Sequence, residues 1–304
     1  MALRITKSSE SIKVDRLNVC IYGQPGSGKS SLAFTADAPL LLDFDNGAHR
    51  AANRKDVVRV QSWADVADMG PTDLAAYKTI VVDTAGRALD ILTADIIRRN
   101  PKAGRGGALT LQGYGTLKAE FVAWLKALNT YGKDVVLIAH MDEQRNGDDI
   151  IERLDVQGGS KGEIYKAADA MGRLSIKAGA RTLNFNPTEA AFGKNPGMLD
   201  VLEIPHPDKD PAFLAGVVTA IKSRLNAMTE EQMSAQAALD AWRFKIEGLA
   251  TAAQFNAELA SLKTAPKAAQ ALFAAAAKAK GLKADKDAGA YVAAPVAEPE
   301  QLAA

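Results

Sequence analysis

Residues 18–34, NVCIYGQPGSGKSSLAF, run from an apolar stretch into a loop of three glycines and a proline, then into a lysine and two serines. Gly23, Gly28, Lys29 and Ser30 satisfy G-x-x-x-x-G-K-[ST] in the position its physics requires, behind a strand and ahead of a helix. Glycines let successive backbone N–H groups turn inward toward phosphate oxygens, and the opening of the helix adds partial positive charge there. Gly23, Gln24, Pro25, Gly26, Ser27, Gly28, Lys29, Ser30 and Ser31 therefore read as an anion cradle for a nucleotide. In it Lys29 reaches the β- and γ-phosphates of ATP and Ser30 is a ligand for Mg2+. A metal on such a loop needs a second oxygen ligand, ordinarily a carboxylate ending a neighbouring buried strand, and KTIVVDT (78–84) supplies Asp83. The alternative for Asp83 is a cap on the next helix.

These groups must be held by a sheet. Five short runs, 17–22, 39–44, 56–60, 78–83 and 134–139, are continuously apolar rather than alternating, the pattern of strands buried on both faces of a parallel sheet. Between them, Leu117, Phe121, Trp124, Leu125 and Leu128 share one face of a helix predicted over 117–131, and that stripe reads as core. MGRLSIKAGARTLNFN (171–186) reads as two strands around an Ala-Gly turn, and 210–225 as the last core helix. The fold class is α/β, a mainly parallel central sheet flanked by helices, over residues 1–228.

Beyond Met228 the chain becomes alanine-rich, and Thr229 with Gln232, then Thr251 with Gln254, match the pattern that starts a helix. Residues 229–283 are expected to form a module of two or three small helices, with Trp242 and Phe255 in its core. Residues 284–304 have too few large apolar groups to offset ordering entropy and are expected to be a flexible tail.

Composition limits the classes of function. Of 304 residues, 47% are hydrophobic and 24% charged, and no apolar run approaches the roughly 20 residues that span a bilayer. The opening residues carry no secretory apolar run and Cys20 is the single cysteine, so a cytoplasmic protein with no membrane partner is expected. With 37 basic and 36 acidic side chains, nucleic-acid binding would need local patches rather than a global field.

PLLLDFDNGAHRA (39–51), TIVVDTAGRAL (79–89) and VVLIAHMDEQ (135–144), in that order after the phosphate loop, resemble the ATPase core of the RecA-type recombinases. The resemblance is to the compact phage-encoded RecA-like ATPases of the Sak type, nucleotide-binding and single-strand annealing proteins, and covers about residues 17–225. In that pattern the strand after the loop ends in Asp-x-Glu, whose last carboxylate activates the attacking water. Here Asp43-Phe44-Asp45 stands in its place, so the resemblance gives Asp45 the role with a side chain one methylene shorter. The alternative is that both aspartates only cap a loop. His140 occupies the place of the polar residue that senses the γ-phosphate; a histidine there is otherwise a structural group.

The same resemblance implies two mobile loops over single-stranded DNA, matched here by 98–115 and 143–162. The first carries Arg98, Arg99, Lys102 and Arg105 among glycines, with Tyr114 for base stacking; in the second, Lys161 and two arginines are offset by four carboxylates. Such charge runs are otherwise solvated surface. AAFGKNPGML (190–199) resembles the lysine-asparagine-arginine-x-glycine element with which hexameric relatives reach into a neighbour's ATP site. Lys194 is the possible trans-acting residue, and Pro196 stands where the arginine would be. The resulting expectation is an ATP- and Mg2+-dependent ATPase that binds single-stranded DNA as a homo-oligomer and promotes annealing or recombination, a single-strand binding protein being a candidate partner. An ATPase that loads or remodels a replication partner, or a nucleotide-gated scaffold with little turnover, are the alternatives.

Overall fold

The computed structural model describes residues 3, 6, 12–146, 149–156, 161–285 and 288–293. Two compact units divide the chain, one over Val14–Asn226 and one over Ala227–Ala304 with Met1–Lys13.

The first unit is built on β1 (Asn18–Gly23), which the phosphate loop joins to α1 (Lys29–Ala33), followed by β2 (Pro39–Asp43), β3 (Val57–Arg59), α2 (Ala64–Ala67) and β4 (Thr79–Asp83). Then come α3 (Ala85–Arg99), a small hairpin of β5 (Gly104–Arg105) and β6 (Ala108–Leu109), α4 (Leu111–Thr130), β7 (Asp134–Asn146) and β8 (Asp149–Leu154). Helix α5 (Lys161–Ala167), β9 (Ala170–Lys177), β10 (Ala180–Asn184), β11 (Leu202–Glu203) and the first part of α6 (Phe213–Glu247) complete it. Across the sheet the order is β11-β10-β9-β1-β7-β4-β2-β3, parallel from β9 to β3 and antiparallel at β10 and β11.

The continuous apolarity of the strands has its reason in two packed faces. Cys20, Tyr22, Leu42, Val82 and Leu137 point to the side covered by α3 and α4, where Leu92, Phe121 and Trp124 lie. Val19, Ile21, Leu41, Val81 and Ile138 point to the other, covered by α1 and the start of α6 with Leu32, Phe34, Leu214 and Ile221. Removing a ring such as Phe121 from this interior costs about 3–5 kcal/mol. Among the described residues, no helix is long and apolar enough to cross a membrane.

Three expectations change. Helix α6 does not end near 225 but continues unbroken to Glu247, so Thr229 lies inside a helix instead of opening one. No glycine or proline interrupts 217–247, and a capping pattern starts a helix only where the chain before it is not already helical. Thr251 does open a helix, α7 (Ala252–Ala257), with the reciprocal Gln254 bond in place. Finally, the first part of the expected tail contains a strand pair: β12 (Leu282–Asp285) pairs with β13 (Ala290–Ala293). Few apolar groups suffice because Tyr291 is placed to use them: its ring meets Phe255 and Phe273. Its backbone N–H donates to Asn256 Oδ1 at 2.6 Å. With α8 (Leu259–Leu262) and α9 (Lys267–Ala279), this second unit has its own small core of Ile246, Leu249, Phe255, Phe273 and Ala277. Residues 294–304 of the expected tail lie outside the described residues.

Candidate nucleotide-binding site

Strand register brings the chemistry to one edge. At the carboxyl ends of the strands Gly23 is opposite His140, and Asp43 is opposite Asp83. The strand carrying His140 lies between the phosphate-loop strand and the strand carrying Asp83. Ligands of open α/β sheets bind outside this edge. A cleft of about 370 Å³ opens there, lined by Gly26, Gly28, Lys29, Ser30, Ser31, Asp45, Gly47, Arg50, Ala51, Asp83 and His140.

Gly28, at φ +91°, turns the loop into α1, and no side chain among the described residues caps that helix. Gly23 has a different reason: a Cβ there would lie 2.4 Å from the Leu174 carbonyl oxygen. Lys29, only 5% exposed, donates from Nζ to the carbonyls of Gly23 at 3.0 Å and Gln24 at 2.8 Å. Burial pulls its ammonium down to about 8, against the attraction of Asp83 and Asp45. Ser27 Oγ is buried with no hydrogen-bond partner among the described residues, as is Nδ1 of His140. Native structures rarely leave such atoms orphaned.

Ser30 Oγ donates to Asp83 Oδ2 at 2.6 Å. Burial lifts the Asp83 carboxyl to about 6, with the Ser30 hydroxyl opposing and Asp43 and Asp45 adding to the rise. Two hard oxygens side by side at the cleft floor fit Mg2+, which takes one or two protein oxygens and completes its shell with phosphate and water. Among the described residues no cluster of three or more histidine, cysteine or carboxylate groups could hold a metal by itself. Bound there, Mg2+ would supply charge neutralisation between the phosphates.

The two aspartates of 43–45 separate. Asp43 is 3% exposed and accepts from the backbone N–H groups of Gly47 at 2.9 Å and Ala48 at 3.0 Å, so it caps the loop after β2. Asp45 turns to the cleft, with His140 Nε2 at 3.7 Å, Arg87 Nε at 3.5 Å and Arg50 Nη2 at 3.9 Å. Burial and the Lys29 charge depress the His140 imidazole below the usual histidine range, with Asp45 opposing. Gln24 Nε2 donates to Glu143 Oε1 at 2.8 Å, tying the phosphate loop to the far part of β7.

Lys194 does not point outward. Its Nζ donates to the carbonyls of Tyr165 at 2.5 Å and Ala168 at 2.7 Å and lies 4.4 Å from the Tyr165 ring centroid. In this chain the ammonium of the Lys-Asn pair, expected to act in trans, closes the end of α5 instead. Arg98 and Arg99 pair with Asp95 at 2.6 and 2.7 Å, and Arg99 also with Glu120 at 2.6 Å. Lys102 and Arg105 have no anionic partner among the described residues. The 98–115 segment is not a plain loop either, since it contains the β5–β6 hairpin turning on Gly106 and Gly107 at positive φ. The second expected loop is likewise a hairpin, β7–β8, paired from Met141 with Leu154 outward. Its turn at 147–148 and residues 157–160 lie outside the described residues, as does the Lys161 side chain.

Sequence reasoning missed Arg50, Arg87 and Arg181. Arg50 had a local signal, three residues after Gly47, where a Cβ would lie 2.3 Å from its Nη2. Arg181, whose Nη1 lies 2.7 Å from where a Cβ on Gly28 would be, had none, because β10 is remote in sequence.

A glycine-rich loop behind β1, a carboxylate ending β4 and a polar residue on the strand between them define a P-loop nucleotide-binding ATPase core. Residues 15–196 match the family model for the AAA domain, well over half of the chain, and the chain belongs to that family. No curated protein matches it.

Proposed function

We propose that this protein is a RecA-like ATPase of the phage Sak type that binds single-stranded DNA as a homo-oligomer and promotes annealing or strand pairing during recombination in the cytoplasm. Convergence of Lys29, Ser30, Asp83, Asp45 and His140 on one cleft carries the ATPase part. The phosphate loop and Lys29 hold the phosphates of Mg-ATP, Ser30 and Asp83 hold the metal, Asp45 orients and takes a proton from the attacking water, and His140 reads the γ-phosphate.

Support for the DNA part is the β5–β6 hairpin and the start of α4. Lys102 and Arg105 stand beside Leu111, 92% exposed, and Tyr114, 37% exposed. Cations without carboxylate partners next to exposed apolar and aromatic groups suit a phosphate backbone with unstacked bases. ATP acts as the switch and hydrolysis resets it.

The test is fluorescence-followed annealing of two complementary oligonucleotides with no protein, with protein, and with protein and Mg-ATP, repeated with Lys29→Ala and with Lys102→Glu/Arg105→Glu. Acceleration that needs ATP and is lost in both variants supports the reading. No acceleration by a protein that binds ATP refutes the annealing role and favours the loading of a replication partner or a nucleotide-gated scaffold.

A further inference from the structure

We infer that Arg50 is the arginine that stabilises the transferring γ-phosphoryl group, supplied by the same chain that binds the nucleotide and held in reserve by Asp45. The inference rests on the reading of the cleft as an ATP-hydrolysing site.

Phosphoryl transfer spreads negative charge over the equatorial oxygens of the γ-phosphate, and a planar guanidinium meets that charge with paired donors. The element expected to supply an arginine from a neighbouring subunit does not: Pro196 stands in the arginine's place, and Lys194 is turned inward onto the carbonyls of Tyr165 and Ala168. Two arginines instead reach Asp45 from its own chain. Arg87 also pairs with Asp90 at 3.3 Å and lines an adjoining cleft with Thr84, Gly86 and Val156, which shares His140 with the nucleotide cleft. Arg50 lines the nucleotide cleft itself, and among the described residues its one ion pair is the long contact to Asp45 at 3.9 Å.

The local sequence is shaped around that placement. Asp43 anchors the amides of Gly47 and Ala48, a 3-10 turn over Ala48–Arg50 follows, and the guanidinium folds back over Gly47, where a Cβ would lie 2.3 Å from Nη2. Its side chain is 66% exposed, so it moves at little cost. Asp45 and the γ-phosphate compete for it. When Arg50 passes to the γ-phosphate, Asp45, still beside Arg87 and His140, loses one of its three cationic neighbours and faces the water: the water oxygen bonds to phosphorus, the bond to the β–γ bridging oxygen breaks with its electron pair left on ADP, and a water proton goes to the Asp45 carboxylate.

The experiment measures steady-state ATP turnover, affinity for Mg-ADP, and affinity for Mg-ADP with aluminium fluoride, in the full chain and in Arg50→Ala and Arg50→Lys. Expected for Arg50→Ala is a kcat loss of about a hundredfold or more with Mg-ADP affinity within threefold, and an equal loss in the aluminium fluoride complex. Arg50→Lys, which keeps the charge and loses the fork, recovers part of both. Mixing Arg50→Ala with Lys29→Ala chains gives no activity beyond the sum of the two. Turnover of Arg50→Ala within threefold of wild type, a loss confined to Mg-ADP affinity, or rescue in the mixture each overturns the inference. A wild-type chain that binds no ATP overturns the ATPase reading along with it, a result distinguishable from these because it precedes any substitution at Arg50.

Discussion

Asp43 and Asp45 are two residues apart, chemically identical, and should fail in opposite ways. Asp43→Ala leaves the buried amides of Gly47 and Ala48, now bonded at 2.9 and 3.0 Å, without an acceptor. Each unsatisfied buried donor costs about 1–3 kcal/mol, so the fold should lose about 2–6 kcal/mol, with Asp43→Asn losing roughly half by keeping one oxygen. Asp45→Ala removes only contacts of 3.5–3.9 Å from a partly exposed carboxylate and should change stability by less than about 0.5 kcal/mol while abolishing turnover. Urea unfolding followed by tryptophan fluorescence resolves the two, since Trp63 and Trp124 lie in the core beside the sheet. Replacing Trp242 by Phe in every protein compared removes the signal of the second unit. An Asp43→Ala midpoint shift worth less than about 1 kcal/mol, or an Asp45→Ala protein as unstable as Asp43→Ala, would refute the division of labour.

Cys20 is fully buried and its thiol is pushed up to about 12 by that burial, so a disulfide reagent at pH 8 should titrate no thiol in the native protein and one after unfolding; rapid native labelling contradicts this. Lys133 Nζ donates to the carbonyls of Leu74 at 2.7 Å and Tyr77 at 2.6 Å, and Lys133→Met should cost about 1.5–3 kcal/mol in urea unfolding. His140 resists protonation in the native state, which therefore binds fewer protons than the unfolded chain once the pH drops below about 6.5, and stability falls with pH there. His140→Asn removes that slope, so its stability relative to wild type should improve from pH 7.5 to pH 5.5. Taking the difference between the two proteins cancels the opposite contribution of Asp83, whose raised pKa favours the fold as pH falls through about 6.

The parallel sheet and the phosphate loop were legible because both are written in contiguous residues: apolar runs that must be covered on two sides, and a glycine spacing that serves one backbone shape. Asp83 was legible for the same reason, as the first charge after a buried strand. Asp45 was set apart from Asp43 by the family resemblance and not by the residues themselves, because which of them turns toward the cleft depends on the two amides that Asp43 captures. Lys194 misled because a motif records residue types and not the carbonyls that an ammonium finds three-dimensionally near. The β7–β8 hairpin was hidden by charge: GDDIIER reads as a polar loop, yet Ile151 and Leu154 have a partner strand to pair with, which composition does not show. In the second unit, Tyr291 stands alone in a small-residue stretch and becomes structural only beside Phe255 and Phe273.

Strand β7 runs without interruption from the middle of the sheet through His140 to Asn146. From His140 to the end of the strand is six residues, about 20 Å at the usual rise. Paired along this reach with β8, it is a stiff arm whose pivot sits at the edge of the candidate nucleotide cleft and whose near part is tethered to the phosphate loop through Gln24 and Glu143. A tilt of about 5° at the pivot displaces the far end by roughly 2 Å, more than the difference between a made and a broken hydrogen bond. Any tilt at the cleft edge, however small, is thereby geared up along the hairpin into a larger displacement at its far end.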